Sequence, residues 1–326
     1  MKITLITPAK KQSKAGNRAT AQRWARMLRE LGHRVDIQFT WDGTPADMML
    51  ALHAWRSADS IARFRQAYPA RPLIVALTGT DIYRFQDSHP EQTIGSMQMA
   101  DTLLCLHDLV HEAIPPQFRS NLHVVHQSAA PLPGPRRASK RHFDICVLGH
   151  LRDEKDSLRC AYAVRDLPAT SRIRLIHLGK AHDETWAKNA AAEAAVNPRY
   201  LWLGEVPVWR VRREYTKTRL MVLSSVMEGG ANVISEAVVA GVPVIASEIH
   251  GTVGLLGADY PGYYPVKDTA ALRALLLRAE AEPEFVAALE KAGRARRKLF
   301  TWAGERQALA KALDHSRNVT GSSASP

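Results

Sequence analysis

Short apolar runs alternate with stretches of helical period along most of the chain. ITLIT (residues 3–7) is such a run, and Ala21, Trp24, Ala25, Leu28 and Leu31 follow it at helical spacing with Arg and Gln between them. Gly32 ends that helix and VDIQF (35–39) returns to extended structure. MMLAL (48–52), LIVAL (73–77), TLLCL (102–106) and LHVV (122–125) are further apolar runs. Continuous rather than alternating apolar runs are what strands covered on both faces require. Strands separated by helices predict an α/β fold with a doubly wound parallel sheet.

The pattern breaks at residues 130–142, APLPGPRRASKRH, where prolines and basic residues leave nothing to build a core from. A second series then begins: DICVLG (144–149), RIRLIHLG (172–179), RYLWLG (199–204), RLMVLSS (219–225) and VPVIAS (242–247). Asp268 is placed to cap a helix through Leu272, Leu275 and Leu276, and a last helical segment follows Thr301. We expect two Rossmann-like domains, residues 1–135 and 143–315, with the last helix able to pack back on the first domain and residues 316–326 a disordered tail. Ligands of open α/β sheets bind beyond the carboxyl ends of the strands, so two such domains facing each other would hold a ligand in a central cleft.

At 326 residues the chain is comfortable as two domains. It has no apolar run of about 18 residues, so no stable membrane insertion is expected. The start, MKITLITPAKK, reads as a first strand rather than a signal peptide. Cys105, Cys146 and Cys160 are odd in number, without zinc spacing, and read as core residues of a cytoplasmic protein. The net charge of +12 is spread along the chain with acids interleaved and no aromatic-rich RNA signature. It argues for phosphate-bearing substrates over nucleic acid.

Candidate chemistry lies just after strands. In SSVMEGGANVISEAVVAGVPVIAS (224–247), Glu228, Gly229 and Gly230 form a turn at the start of a helix that Gly241 ends. Glycines and the N–H groups of a helix start make an anion site suited to a diphosphate. Carboxylates such as Glu228 and Glu236 accept hydrogen bonds from sugar or ribose hydroxyls. Gly149-His150-Leu151-Arg152-Asp153-Glu154-Lys155-Asp156 places Arg152 and Lys155 three apart after the first strand of the second series. They are either a clamp on a leaving diphosphate or a salt-bridged surface turn. The first loop, KKQSKAGNRAT (10–20), is basic and ends at a helix start, but is not G-x-G-x-x-G, which argues against a nicotinamide dehydrogenase. His53 follows MMLAL, and Thr78, Gly79, Thr80 and Asp81 follow LIVAL.

The stretch 224–247 resembles the E-x7-E region of retaining GT-B glycosyltransferases of family 4, and the resemblance extends over nearly the whole chain. It implies that Glu228 lies at the donor sugar and Glu236 at the ribose. It places Gly149, Gly229, Gly230, Ala231, Asn232 and Val233 along the donor and its phosphates. Lys155 matches the family's lysine. The family's arginine usually follows the glycine directly; this chain has His150 there, and Arg152 takes the role. The first loop, with Gly16, Asn17, Arg18 and Thr20, and residues Thr78 to Asp81 fall in the acceptor region. Many members carry a histidine where Thr78 stands, and His53 is placed to replace it.

Within the family, GNRATAQRWARMLRELGH, LHAWRS, LTGTDIY, GHLRDEKD and EGGANVISEA most resemble selenosugar synthases of selenoneine biosynthesis. That resemblance implies a C–Se bond made between selenophosphate and the sugar of a UDP-sugar, UDP-N-acetylglucosamine or UDP-glucose. No His/Asp/Glu cluster has ligand spacing and no Asp-x-Asp stands near the donor motif, so no metal or other cofactor is expected. Two alternatives stay open: a family 4 enzyme acting on a lipid or glycan acceptor, and a nucleotide-sugar-binding regulator without turnover. For the first, the basic stretch Arg56 to Arg71 could face anionic lipid, although Ile61, Phe64 and Tyr68 within it read more simply as core contacts.

Overall fold

The computed structural model describes residues 1–12 and 16–322. The chain divides into two compact units, one formed by Met1–Ser128 with the chain from Leu299 onward, the other by Ala129–Lys298. Each contains a sheet of six parallel strands among the described residues.

In the first unit the strands are β1 (Lys2–Ile6), β2 (Arg34–Gln38), β3 (Met48–Leu52), β4 (Leu73–Ala76), β5 (Thr102–Cys105) and β6 (Leu122–Val124), in the order β2-β1-β3-β4-β5-β6. The apolar runs fall where expected because β3, β4 and β5 are buried on both faces. One face packs Trp24 and Leu28 of the helix Gly16–Glu30 with Leu309 and Leu313 of the last helix; the other packs Trp41, Ile61 and Phe64. Ile61 and Phe64 are fully buried and Tyr68 packs half-buried against them, so these three side chains of the Arg56 to Arg71 stretch are core contacts.

The second unit contains β7 (Phe143–Leu148), β8 (Ile173–Leu178), β9 (Tyr200–Trp202), β10 (Leu220–Leu223), β11 (Val244–Ser247) and β12 (Tyr263–Tyr264), in the order β12-β11-β10-β7-β8-β9. The sequence reading lacks β12. Two residues paired only with Ala246 and Ser247 are too short to carry a period. The order puts β7 beside β10, so the loops that follow these two strands leave the same sheet edge next to each other.

Two expectations change. The segment 130–142 is docked on the second unit: Arg136 donates to the carbonyls of Gly241 and Thr218, the latter at 2.8 Å, and reaches Glu290 at 3.3 Å. It thereby satisfies carbonyls at the C-terminal ends of the helices Val208–Lys217 and Asn232–Ala240. The last helix, Trp302–Ser322, continues through much of the expected tail. Its buried stripe, Leu309, Ala312 and Leu313, carries on into the fully buried Ser316, so a polar sequence stays helical. Residues 323–326 lie outside the described residues. Near the start of this helix Glu305, 1% exposed, accepts from Arg23 Nε (3.0 Å), Trp24 Nε1 (2.8 Å) and Ser128 N (2.7 Å). It thus ties the chain's departure from the first unit to the element that returns to it.

Candidate functional site

The second unit assembles its site from the loops after β7 and β10. Ser224, the residue after β10, donates its hydroxyl toward the carbonyls of Lys155 and Asp156, both at 3.0 Å, and Val226 N donates to Glu154 O at 2.9 Å. Asp156 turns the chain with φ 43° after the tight turn Asp153–Lys155. These bonds fasten the Lys155 turn to the strand end that leads to Glu228. Lys155 Nζ forms an ion pair with Glu228 Oε1, and Ser225 Oγ donates to the same oxygen at 2.5 Å. Glu228 is 9% exposed, so the pair lies at the floor of the surface rather than on it.

Arg152 does not join this pair. Its guanidinium lies 3.9 Å from Glu154 and its side chain is substantially exposed. His150 is better embedded: its Nδ1 accepts from Lys180 N at 3.3 Å, which leaves the proton on Nε2. Burial, with Arg152, Lys180 and Lys155 nearby, holds its pKa below the ordinary histidine value, against an opposing Glu205. His150 is therefore a neutral N–H donor at the end of β7, a role that the sequence did not reveal. Gly149 must be approached closely, since a Cβ on Gly179 would stand 1.7 Å from its carbonyl oxygen.

Beyond Glu228 the backbone passes Gly229, Gly230 and Ala231 into the helix Asn232–Ala240, which Gly241 ends at φ 70°. Ala231 is buried, while Asn232 and Val233 are half-buried at the helix start. Glu236, half-buried on this helix, accepts from Tyr215 OH at 3.0 Å. Burial, with Glu236 adjacent, drives the Tyr215 pKa far up, so the phenol stays a neutral donor. Tyr215, on the helix Val208–Lys217, is another partner that the sequence gave no sign of.

In the first unit, His53 follows β3 at φ 76° and is 1% exposed. Its Nδ1 accepts from Arg56 N at 3.2 Å, so Nε2–H is the donor to Thr80 Oγ1 at 2.9 Å. Burial lowers its pKa against the opposing charge of Asp81. Asp81, expected among the acceptor contacts, is fully buried and accepts from the backbone N–H groups of Ala54 (3.0 Å), Thr78 (3.0 Å) and Gly79 (2.7 Å). It is a brace between the loops after β3 and β4, with no oxygen facing outward. Thr20 is likewise buried and accepts from Gln127 Nε2 at 2.7 Å. Thr78 and Arg18 are half-buried and differ: Thr78 Oγ1 and Arg18 Nε are buried atoms without a partner among the described residues. Gly16 opens the first helix, Asn17 follows half-buried, and Gly79 adopts φ 126°. Part of the first loop, residues 13–15, lies outside the described residues.

Beside His53, Trp55 stacks on Phe85 with ring centroids 3.8 Å apart and His89 stands 4.7 Å from Trp55. Phe85 reaches this place on a π-helical turn, Asp81–Phe85. Periodicity could not reveal that turn, because its i+5 bonding leaves no sequence period.

Sheets of parallel strands with candidate side chains gathered at their carboxyl ends define an open α/β class. The family model for glycosyl transferases group 1 matches residues 134–296, half of the chain, and the protein belongs to that family. Solved structures agree on the fold. HepE of Anabaena in complex with UDP and glucose is 15% identical, with a TM-score of 0.75 over 96% of this chain and 99% of its own. Sucrose-phosphate synthase from Thermosynechococcus elongatus is 15% identical, with a TM-score of 0.72 over 96% and 98%. The lipopolysaccharide outer core galactosyltransferase WaaB, in its apo form, is 13% identical, with a TM-score of 0.66 over 96% and 99%. The fold is α/β of the GT-B type, with two Rossmann-like domains. No curated protein matches the chain by sequence.

Proposed function

We propose that this glycosyltransferase takes a sugar from a UDP-sugar, UDP-N-acetylglucosamine or UDP-glucose, and joins it to selenophosphate. The observation that carries the donor half is the Lys155–Glu228 pair beside the start of the helix Asn232–Ala240. A cation and a helix N-terminus suit a diphosphate, and a carboxylate next to them suits sugar hydroxyls. HepE, similar in fold, is described in complexes with UDP and with UDP-glucose. The acceptor half rests on the resemblance to selenosugar synthases. Arg18, with its unpartnered Nε, supports an anion there.

In the proposed step a selenium lone pair attacks the anomeric carbon as the bond from that carbon to the diphosphate oxygen breaks. The electron pair leaves with UDP. Lys155 turns from Glu228 to the departing diphosphate and offsets its growing charge. His150 offers its Nε2–H to the same group. No metal or cofactor is required for this step, because Lys155 and the helix terminus supply the positive charge.

The test is UDP release from each UDP-sugar with and without selenophosphate, followed by mass spectrometry of the product. A selenium-bearing sugar that still forms in a chelator is the expected result. UDP release that depends on a lipid or glycan instead, or binding of UDP-sugar without turnover under any condition, would overturn the acceptor reading or the enzyme reading respectively. Loss of turnover in chelator, restored by magnesium or manganese, would overturn metal independence.

A further inference from the structure

Glu228 is held unevenly. Its Oε1 takes both Ser225 Oγ–H, at 2.5 Å, and Lys155 Nζ, while its Oε2 has no partner among the described residues. Ser225 is fully buried and is the second residue after β10. Its own carbonyl accepts from Ser247 Oγ at 2.5 Å, and the carbonyl of Ser247 accepts from Thr252 Oγ1 at 2.6 Å. Ser247 and Thr252 are also fully buried. Hydroxyl-to-carbonyl bonds therefore tie the helix His250–Leu256 to the end of β11, and the end of β11 to Ser225, whose own hydroxyl holds the carboxylate. The backbone of Glu228 is held from the same side, since a Cβ on Gly251 would meet its carbonyl oxygen at 2.3 Å and its Cβ at 2.7 Å.

We infer that Ser225 is a positioning residue for the transfer reaction, one that fixes Glu228 with Oε2 presented to the donor sugar. The inference rests on the proposed donor reading of Glu228 and Lys155. In that reading Lys155 must exchange the carboxylate for a diphosphate, and the exchange removes one of the two groups on Oε1. The Ser225 hydroxyl is then what remains. It is held apart from any ligand, because its carbonyl is bonded by Ser247 and it has no exposed surface. A carboxylate kept in one rotamer reaches the transition state without having to be ordered during the step.

A double-mutant cycle tests this, with UDP release and calorimetric UDP binding measured on the full chain. Ser225→Ala should lower kcat about tenfold or more, with donor KM and UDP affinity nearly unchanged, since a charge-assisted hydrogen bond is lost. Ser225→Cys, a weaker donor, should fall between the two. Glu228→Gln should lose most of the turnover, and adding Ser225→Ala to it should cost nothing further. Full activity in Ser225→Ala beside an inactive Glu228→Gln would overturn the positioning role and leave the donor reading standing. An equal loss from Ser225→Ala in both backgrounds, or a loss that tracks UDP affinity, would show Ser225 acting structurally and also overturn it. Full activity in Glu228→Gln would overturn the donor reading and the positioning role together.

Discussion

Lys155 and Glu228 are 73 positions apart in the chain, and their charges meet because two loops are stapled together through Ser224 and Val226. The pairing keeps a half-buried ammonium and a buried carboxylate satisfied in the absence of substrate. Lys155→Ala should lower kcat more than donor affinity, because the charge on the leaving diphosphate grows as the bond breaks. A loss of about tenfold to a hundredfold in kcat/KM is expected for one charged hydrogen bond. Steady-state kinetics with calorimetric UDP binding separates the two effects, and a loss confined to affinity would show Lys155 holding the ground state only. Arg18 makes the matching case in the first unit. Its Nε is a buried atom without a partner among the described residues, and the proposed acceptor reading gives the guanidinium a phosphoryl oxygen. If the proposed selenophosphate acceptor holds, Arg18→Ala should raise its required concentration about tenfold to a hundredfold with UDP binding unchanged. The reverse pattern would assign the loop to the donor.

Among the elements, the short helix His250–Leu256 shows how packing supports chemistry. Gly251 allows it to lie directly on the backbone of Glu228, closer than any side chain would permit. Gly251→Ala must push one of the two elements away, at a cost of about 1–3 kcal/mol. Urea unfolding should show that loss, and donor turnover should fall further than stability alone explains because Glu228 moves with the displaced backbone. An alanine variant with normal stability and turnover would mean that the helix shifts without disturbing the carboxylate. The strand runs, the helix Asn232–Ala240 and its Gly241 stop were legible in the sequence, because local period and turn chemistry determine them. The π-helical turn Asp81–Phe85 and the two-residue β12 were not, since neither leaves a period.

Across the whole molecule, buried histidines make stability depend on pH on the acid side. His177, on β8, is 1% exposed, and burial holds its pKa near 4, against the hydrogen bond to the Gly149 carbonyl. A histidine whose pKa is lowered in the folded state stabilises the fold fully above about pH 6.5, and that contribution is lost as pH falls toward the folded value. Its full size is on the order of 3 kcal/mol. His53, His150 and His123 are shifted in the same direction, chiefly by burial. The melting temperature should therefore drop between pH 7 and pH 5, and less steeply in His177→Phe. Identical slopes in the two proteins would show that His177 takes up its proton without unfolding.

Apolar runs, helical stripes and the glycines at helix ends are consequences of local burial and backbone sterics, so the sequence by itself determined two parallel-sheet series and the strand ends where chemistry would gather. It also singled out Glu228, Lys155 and Glu236 as chemically apt residues. It could not pair them. Which oxygen of Glu228 meets Lys155, that Ser225 shares it, that Tyr215 meets Glu236, and that Arg152 stays out of the pair were decided by strand order and by the bonds between loops. Asp81 shows the same limit from the other side. In sequence it is a polar residue after a strand, suited to a ligand. In the structure three backbone N–H groups converge on it and bury it. Whether a carboxylate faces a substrate or braces a loop depends on where distant backbone donors point, and only the folded chain brings those donors together.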